Sequence, residues 1–138
     1  MGIKKEKLSE EQKKEVEKLR EFVSRNRLNP RMNGTKWRAA IDSITSIPDY
    51  QPSFRVKRIT DLIDPHSNNW NSNFPADIPL YNSIEWLELN SQGPGFFINN
   101  RPTKRKVFSK ELTHALTAIQ IPIEETPTGI RIIGYARN

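Results

Sequence analysis

At 138 residues, 35% hydrophobic and 28% charged, the chain suits one domain whose single core needs neither metal nor disulfide. It has no cysteine, which excludes disulfides, thiolate nucleophiles and cysteine–zinc sites. A net charge of +6 and a pI near 9.7 admit nucleic acid, an anionic surface or an acidic protein as partner.

The charge is spread along the chain, with nine Lys/Arg against six Glu in residues 1–27 and thirteen Lys/Arg against ten acids in residues 28–138. No run approaches the roughly 18 apolar residues of a membrane span. No apolar stretch follows the charged N-terminus either. The expectation is a cytoplasmic protein with no membrane partner.

Residues 1–30 read as a charged helical extension, and residues 31–138 as a single α+β domain. Ser9 and Gln12 have the spacing of a capping box, and Val16, Leu19 and Val23 fall at helical intervals. The apolar stripe is thin, so the helix needs a surface to lie on, either its own domain or a docking partner. Asn29-Pro30 ends it, because a residue before proline avoids the α region.

A second helix begins near Asn33 or Thr35, either of which can cap it. Trp37, Ala40, Ile41 and Ile44 form its stripe, and Pro48 stops it. Residues 53–60 alternate as a strand, with Phe54 and Val56 on one face and Arg55 and Lys57 on the other, together with Ile59. Residues 64–79 read as a loop that Trp70 and Phe74 pin to the core.

Leu80 to Leu89 is apolar on both faces, as an interior strand would be. Gln92-Gly93-Pro94-Gly95 reads as a turn before a short strand at Phe96-Phe97-Ile98. Residues 101–110 hold five basic side chains and no acid. Ser109 is placed to cap a third helix with Leu112, Ala115, Leu116 and Ile119 as its stripe. A terminal hairpin follows, with Pro122 putting its first strand at an edge. This order predicts an α+β fold, with helices packed on one face of a mainly antiparallel sheet and an N-terminal helical extension.

Met32-Asn33-Gly34-Thr35-Lys36-Trp37, Tyr81-Asn82-Ser83-Ile84-Glu85-Trp86-Leu87-Glu88 and Ile130-Arg131-Ile132-Ile133-Gly134-Tyr135 resemble the N-x-T-K-W, I-E-W-L-E and I-R-I-x-G-Y motifs of a family of small bacterial proteins of unknown function. The resemblance covers about residues 31–135 and implies a compact domain without implying an activity. It also departs from the family at Asn68–Phe74, where Asn and Ser stand in place of acids. Any site built on carboxylates in that loop is therefore in doubt here.

Chemistry-bearing residues are sparse. Glu85 and Glu88 are three apart on one strand, so alternation sends them to opposite faces and denies them a shared substrate. One is expected to face an edge or solvent, and the other to pair with Arg55, Lys57 or Arg131 across the sheet. His66 and His114 are the only histidines and lack metal-ligand or triad spacing. Gly93-Pro94-Gly95 lacks the Lys-Ser/Thr that follows a phosphate-cradling loop.

No catalytic residue, cofactor or metal is therefore expected. Trp37, Trp86, Phe54 and Leu116 are assigned to the core. Trp70, Phe74, Arg101, Lys104, Arg105 and Lys106 are the candidate binding residues. The expected role is a non-catalytic module that binds another protein, an immunity- or antitoxin-like protein being one form of it. Nucleic-acid binding is the alternative, through the 101–110 cations with Phe96 and Phe97 to stack on bases. The sequence leaves the oligomeric state open.

Overall fold

The computed structural model describes residues 9–62, 64–65, 70–92, 97–98, 101–102 and 106–137, with 97–98 and 101–102 described by backbone alone. Helix α1 (Glu10–Arg25) opens on the expected capping box. The Ser9 hydroxyl accepts from the Gln12 amide at 3.1 Å, and the Gln12 side chain accepts from the Ser9 amide at 2.9 Å.

The helix stops at Arg25, five residues before Pro30, at a Schellman turn. Arg27 adopts a left-handed φ of 51°, and the amides of Arg27 and Leu28 reach back to the carbonyls of Ser24 and Val23. Leu28 is buried with Leu19 and Ile59, and Phe22, Val23 and Tyr135 pack around them. The second half of α1 thus lies on its own domain.

Strand β1 (Asn29–Pro30) leads into α2 (Gly34–Thr45), where the Asn33 side chain, not Thr35, takes the Lys36 amide at 2.8 Å. Strand β2 (Phe54–Arg58) is followed by a loop, a 3-10 turn at Tyr81–Ser83 and β3 (Ile84–Asn90). Short β4 (Phe97–Ile98) and β5 (Arg101–Pro102) pair with each other.

Helix α3 (Ser109–Ala118) precedes β6 (Ile123–Glu125), β7 (Gly129–Ile133) and β8 (Tyr135–Ala136). Ser109 does not cap α3. It is the first helical residue, and Phe108 holds the cap position without a side-chain bond. The Phe108 ring is buried against Tyr50, with centroids 4.6 Å apart, so ring packing sets where α3 begins.

The main sheet has the order β2-β3-β7-β6 and every pairing is antiparallel. Strand β3 is interior, and β6 beside Pro122 is an edge, as their sequences predict. Cross-strand register sets Phe54 opposite Leu89, Val56 opposite Leu87, Leu87 opposite Ile132 and Leu89 opposite Ile130. This inner face buries against Trp37, Ala40 and Ile44 of α2 and Leu112 and Leu116 of α3.

The fold is therefore α+β, with two helices on one face of an antiparallel sheet. Strand β8 leaves the sheet to pair with β1. No helix among the described residues is long and apolar enough to cross a membrane.

Candidate functional site: the outer face of the sheet

The face turned away from α2 and α3 gathers the charged side chains. Register puts Arg55 opposite Glu88, Glu88 opposite Arg131, and Lys57 opposite Trp86. Directly opposed residues share a face, so Arg55, Lys57, Trp86, Glu88 and Arg131 form one surface.

Alternation would send Glu85 to the other side, but the register shifts between Lys57 and Arg58, and Arg58 stands opposite Ile84. Glu85 is the extra residue of a bulge. Ile84 consequently rejoins the inner core, and Glu85 turns outward to Lys57. Both glutamates therefore lie on one face, contrary to the expectation from spacing.

The bulge explains a glycine. Gly134 donates its amide to the Glu85 carbonyl at 2.7 Å, and a Cβ there would fall 2.1 Å from the Ile84 carbonyl oxygen. Only a residue without a side chain lets the backbones approach so closely.

Each glutamate has its own pair of cations. Glu88 is fully buried and accepts from Arg55 Nη2 at 3.0 Å, Arg131 Nε at 2.8 Å and the Thr128 hydroxyl at 2.5 Å. Burial alone would push its pKa up, but the Thr128 hydroxyl, Arg131 and Arg55 outweigh it and hold the carboxyl below its ordinary value. Glu85 accepts from Lys57 Nζ at 2.8 Å and from Arg137, whose guanidinium also reaches the Ile59 carbonyl at 3.3 Å.

Two indoles complete the surface. The Arg131 guanidinium lies 3.9 Å from the Trp86 ring centroid, and Arg55 lies 4.7 Å from that of Trp70. Trp86 is buried as expected, but it lies outside the helix-covered core, on the other side of the sheet beneath Arg131.

An ionised carboxylate held by two cations has no proton to give at neutral pH and little basicity with which to take one. The two glutamates also have separate hydrogen-bond partners and none in common. Chemically the arrangement is a lock across β2, β3 and β7, with Arg137 tying in the segment beyond β8.

The candidate binding residues fare differently. Trp70 is half-buried under Arg55. Phe74 is a core residue, packed edge-on against Phe54 with centroids 5.7 Å apart, and offers no surface to a partner. Lys106 is exposed, 4.9 Å from the Phe108 ring, and pairs with Glu111 at 3.7 Å. Arg101 is placed by its backbone in β5.

Lys104, Arg105, His66, Gly93-Pro94-Gly95 and Phe96 lie outside the described residues, and Phe97 is placed by backbone alone in β4. His114 is exposed, and no His/Cys/Asp/Glu cluster suited to a metal occurs among the described residues. The sequence reading missed Thr128 and Arg137. Thr128 lies in a turn and Arg137 in a terminal tail, where nothing local points at a strand 40 or 52 residues away.

Comparison with known proteins gives a family and no activity. The model of a family described as "Family of unknown function (DUF6678)" matches residues 19–138, and the chain belongs to that family. The match begins at Leu19, the first α1 residue buried in the domain. No curated protein matches the chain, and neither does any solved structure.

Proposed function

We propose that this member of a family of unknown function works by binding another protein and catalyses no reaction. The observation that carries the reading is the state of Glu88. The best-buried acid of the sheet is ionised, with both oxygens taken by Arg55, Arg131 and Thr128. Glu85 is likewise occupied by Lys57 and Arg137.

The sheet then serves as scaffold, and the groups that reach solvent beside it are Trp70, Arg131 and Arg137. Trp and Arg are the side chains enriched where proteins meet. An immunity- or antitoxin-type protein, which neutralises another protein by occupying it, is one form such a module takes.

The test is capture from a lysate of the source cell, followed by titration of each purified candidate against the full chain. Saturable binding at fixed stoichiometry, weakened by Arg131→Glu with Arg137→Glu, supports the reading. Turnover of a small molecule that disappears in Glu88→Gln while the fold persists overturns it.

A second reading is nucleic-acid binding, favoured by the five cations and no acid of residues 101–110. It predicts oligonucleotide affinity that collapses with salt and fails when Lys104, Arg105 and Lys106 are reversed in charge.

A further inference from the structure

The main sheet has two edges, β2 and β6, and they differ in how their outward backbone groups are met. On β2, Phe54 is bonded both ways to Asn71, at 2.9 and 2.7 Å, and the Arg58 amide donates to the Asp61 carboxylate at 2.8 Å. On β6, the pairing with β7 takes every second residue. Thr126 exchanges both bonds with Gly129, at 2.9 and 3.3 Å, and the Pro122 carbonyl accepts from the Ile133 amide at 3.0 Å. Glu124 opposite Arg131 is the bonded pair between them.

Alternation then turns the amides and carbonyls of Ile123 and Glu125 away from the sheet. These four groups have no hydrogen-bond partner among the described residues. The side chains of Glu124 and Glu125 beside them are exposed. Unpaired strand edges are templates for another chain.

The edge is also acidic, in a chain of net charge +6. Glu124 and Glu125 have no ion pair among the described residues. Of the β7 residues in register with β6, Arg131 alone is a cation, and it is committed elsewhere: bound to Glu88 at 2.8 Å and stacked 3.9 Å from the Trp86 ring. A second copy of the chain does not suit such an edge. Antiparallel pairing of two β6 strands through both open residues centres on Glu124 and sets it against its own image, and like charges directly opposite are destabilising.

Resting on the protein-binding reading above, we propose that β6 takes an extended basic segment of the partner protein as the next strand of the sheet. Antiparallel to β6, the segment presents a cation opposite Glu125, a second opposite Glu124 and an apolar side chain opposite Ile123, in that chain order. Glu124 shares the outer face with Arg131, whereas Ile123 packs against the inner core, so the segment's side chains alternate between the two faces. Main-chain bonds to Ile123 and Glu125 supply affinity, and the two cations supply selectivity.

The probe is a fluorescent Thr-Arg-Lys-Val-Thr peptide titrated against the full chain, beside Thr-Glu-Glu-Val-Thr. Two N-methylated forms divide the register. Methylation of the Arg and Val amides blocks the bonds that face β6, and methylation of the Lys amide blocks one that faces away. Expected results are binding of the basic peptide about tenfold or more tighter than the acidic one, and a similar loss on methylation at Arg and Val but not at Lys. Hydrogen exchange should slow at the Ile123 and Glu125 amides, and Glu124→Lys with Glu125→Lys should invert the preference between peptides.

N-methylation leaves the protein untouched, so the result does not depend on any variant folding. The inference is overturned by no binding at about 1 mM peptide. Equal binding of the acidic peptide overturns it too, as do equal losses on methylation at the two sets of amides. Protection of Ile123 and Glu125 that rises with protein concentration in the absence of peptide overturns it as well, because a second copy then holds the edge. If a captured partner protein binds the charge-reversed variant as well as the parent, this site falls and the protein-binding reading stands. If no partner protein is captured, that reading falls and the proposal with it.

Discussion

Replacing Glu88 by Gln keeps the side-chain shape and removes its negative charge. Arg55, with a tenth of its side chain exposed, and Arg131, with 26% exposed, then face each other without a counter-ion. Removing one partner of a buried ion pair costs about 3–5 kcal/mol, because the remaining charge stays desolvated. The exposure of Arg131 places the expectation toward the lower figure.

Urea unfolding at pH 7 should show it as a midpoint lower by roughly 1.5 M, for an m-value of roughly 2 kcal/mol/M that itself stays unchanged. The pH dependence has a definite sign. The native pKa of Glu88 lies below its unfolded value of about 4.3, so its contribution is present above that pH and fades as pH falls through the native value. The gap between parent and variant should therefore narrow on acidification from about pH 5 to pH 3. A loss under about 1 kcal/mol at pH 7, or a gap independent of pH, would show that Glu88 is not the structural lock described here. An apolar triple replacement, Arg55→Met with Glu88→Leu and Arg131→Met, should recover most of the loss.

Gly134→Ala puts a Cβ 2.1 Å from the Ile84 carbonyl and should cost about 1–3 kcal/mol or more in urea unfolding; an unchanged midpoint would mean that the backbones do not approach so closely. Phe74→Ala should cost about 3–5 kcal/mol as a core deletion, and Trp70→Ala clearly less, in the same assay; the reverse ranking would return Phe74 to the surface. Removing residues 1–18 should leave the melting temperature nearly unchanged, whereas removing 1–28 strips Leu19 and Leu28 from Ile59 and should lower stability by at least the roughly 2–5 kcal/mol of one buried Leu-to-Ala change. Equal melting temperatures for the two truncations would show that α1 contributes nothing to the fold.

Features that depend on local periodicity were legible in the sequence. The stripe of Trp37, Ala40 and Ile44, the capping box at Ser9, the interior character of β3 and the edge position beside Pro122 each follow from spacing within about ten residues. The outer face was not legible by the same logic, because a single inserted residue at Glu85 reverses the alternation and carries Ile84 to the core. The available signal was Gly134, a glycine inside an otherwise bulky strand, which marks a bulge or a close backbone approach.

Trp86 reads as buried in the sequence; alternation with the inward Leu87 and Leu89 puts it on the outer face, where Arg131, 45 residues on, covers its ring. From the sequence Phe74 is both a pin of its loop to the core and a candidate binding residue, and only the first role agrees with its burial. The nearby Phe54 ring, 20 residues earlier, draws it inward.

The pairing of β1 with β8 joins Asn29 to Ala136 and Pro30 to Tyr135, and Arg137 pairs with Glu85. These bonds have a consequence for how the molecule is made. During synthesis, α1 and α2 emerge early, yet Asn29–Pro30 has no strand to meet until Tyr135–Arg137 has left the ribosome. For most of translation Lys57 and Glu85 lack their third member and the Ile59 cluster lacks Tyr135. Contacts of such long sequence separation form slowly, and a released chain ending at residue 134 should remain open to proteases that no longer cut one ending at residue 137.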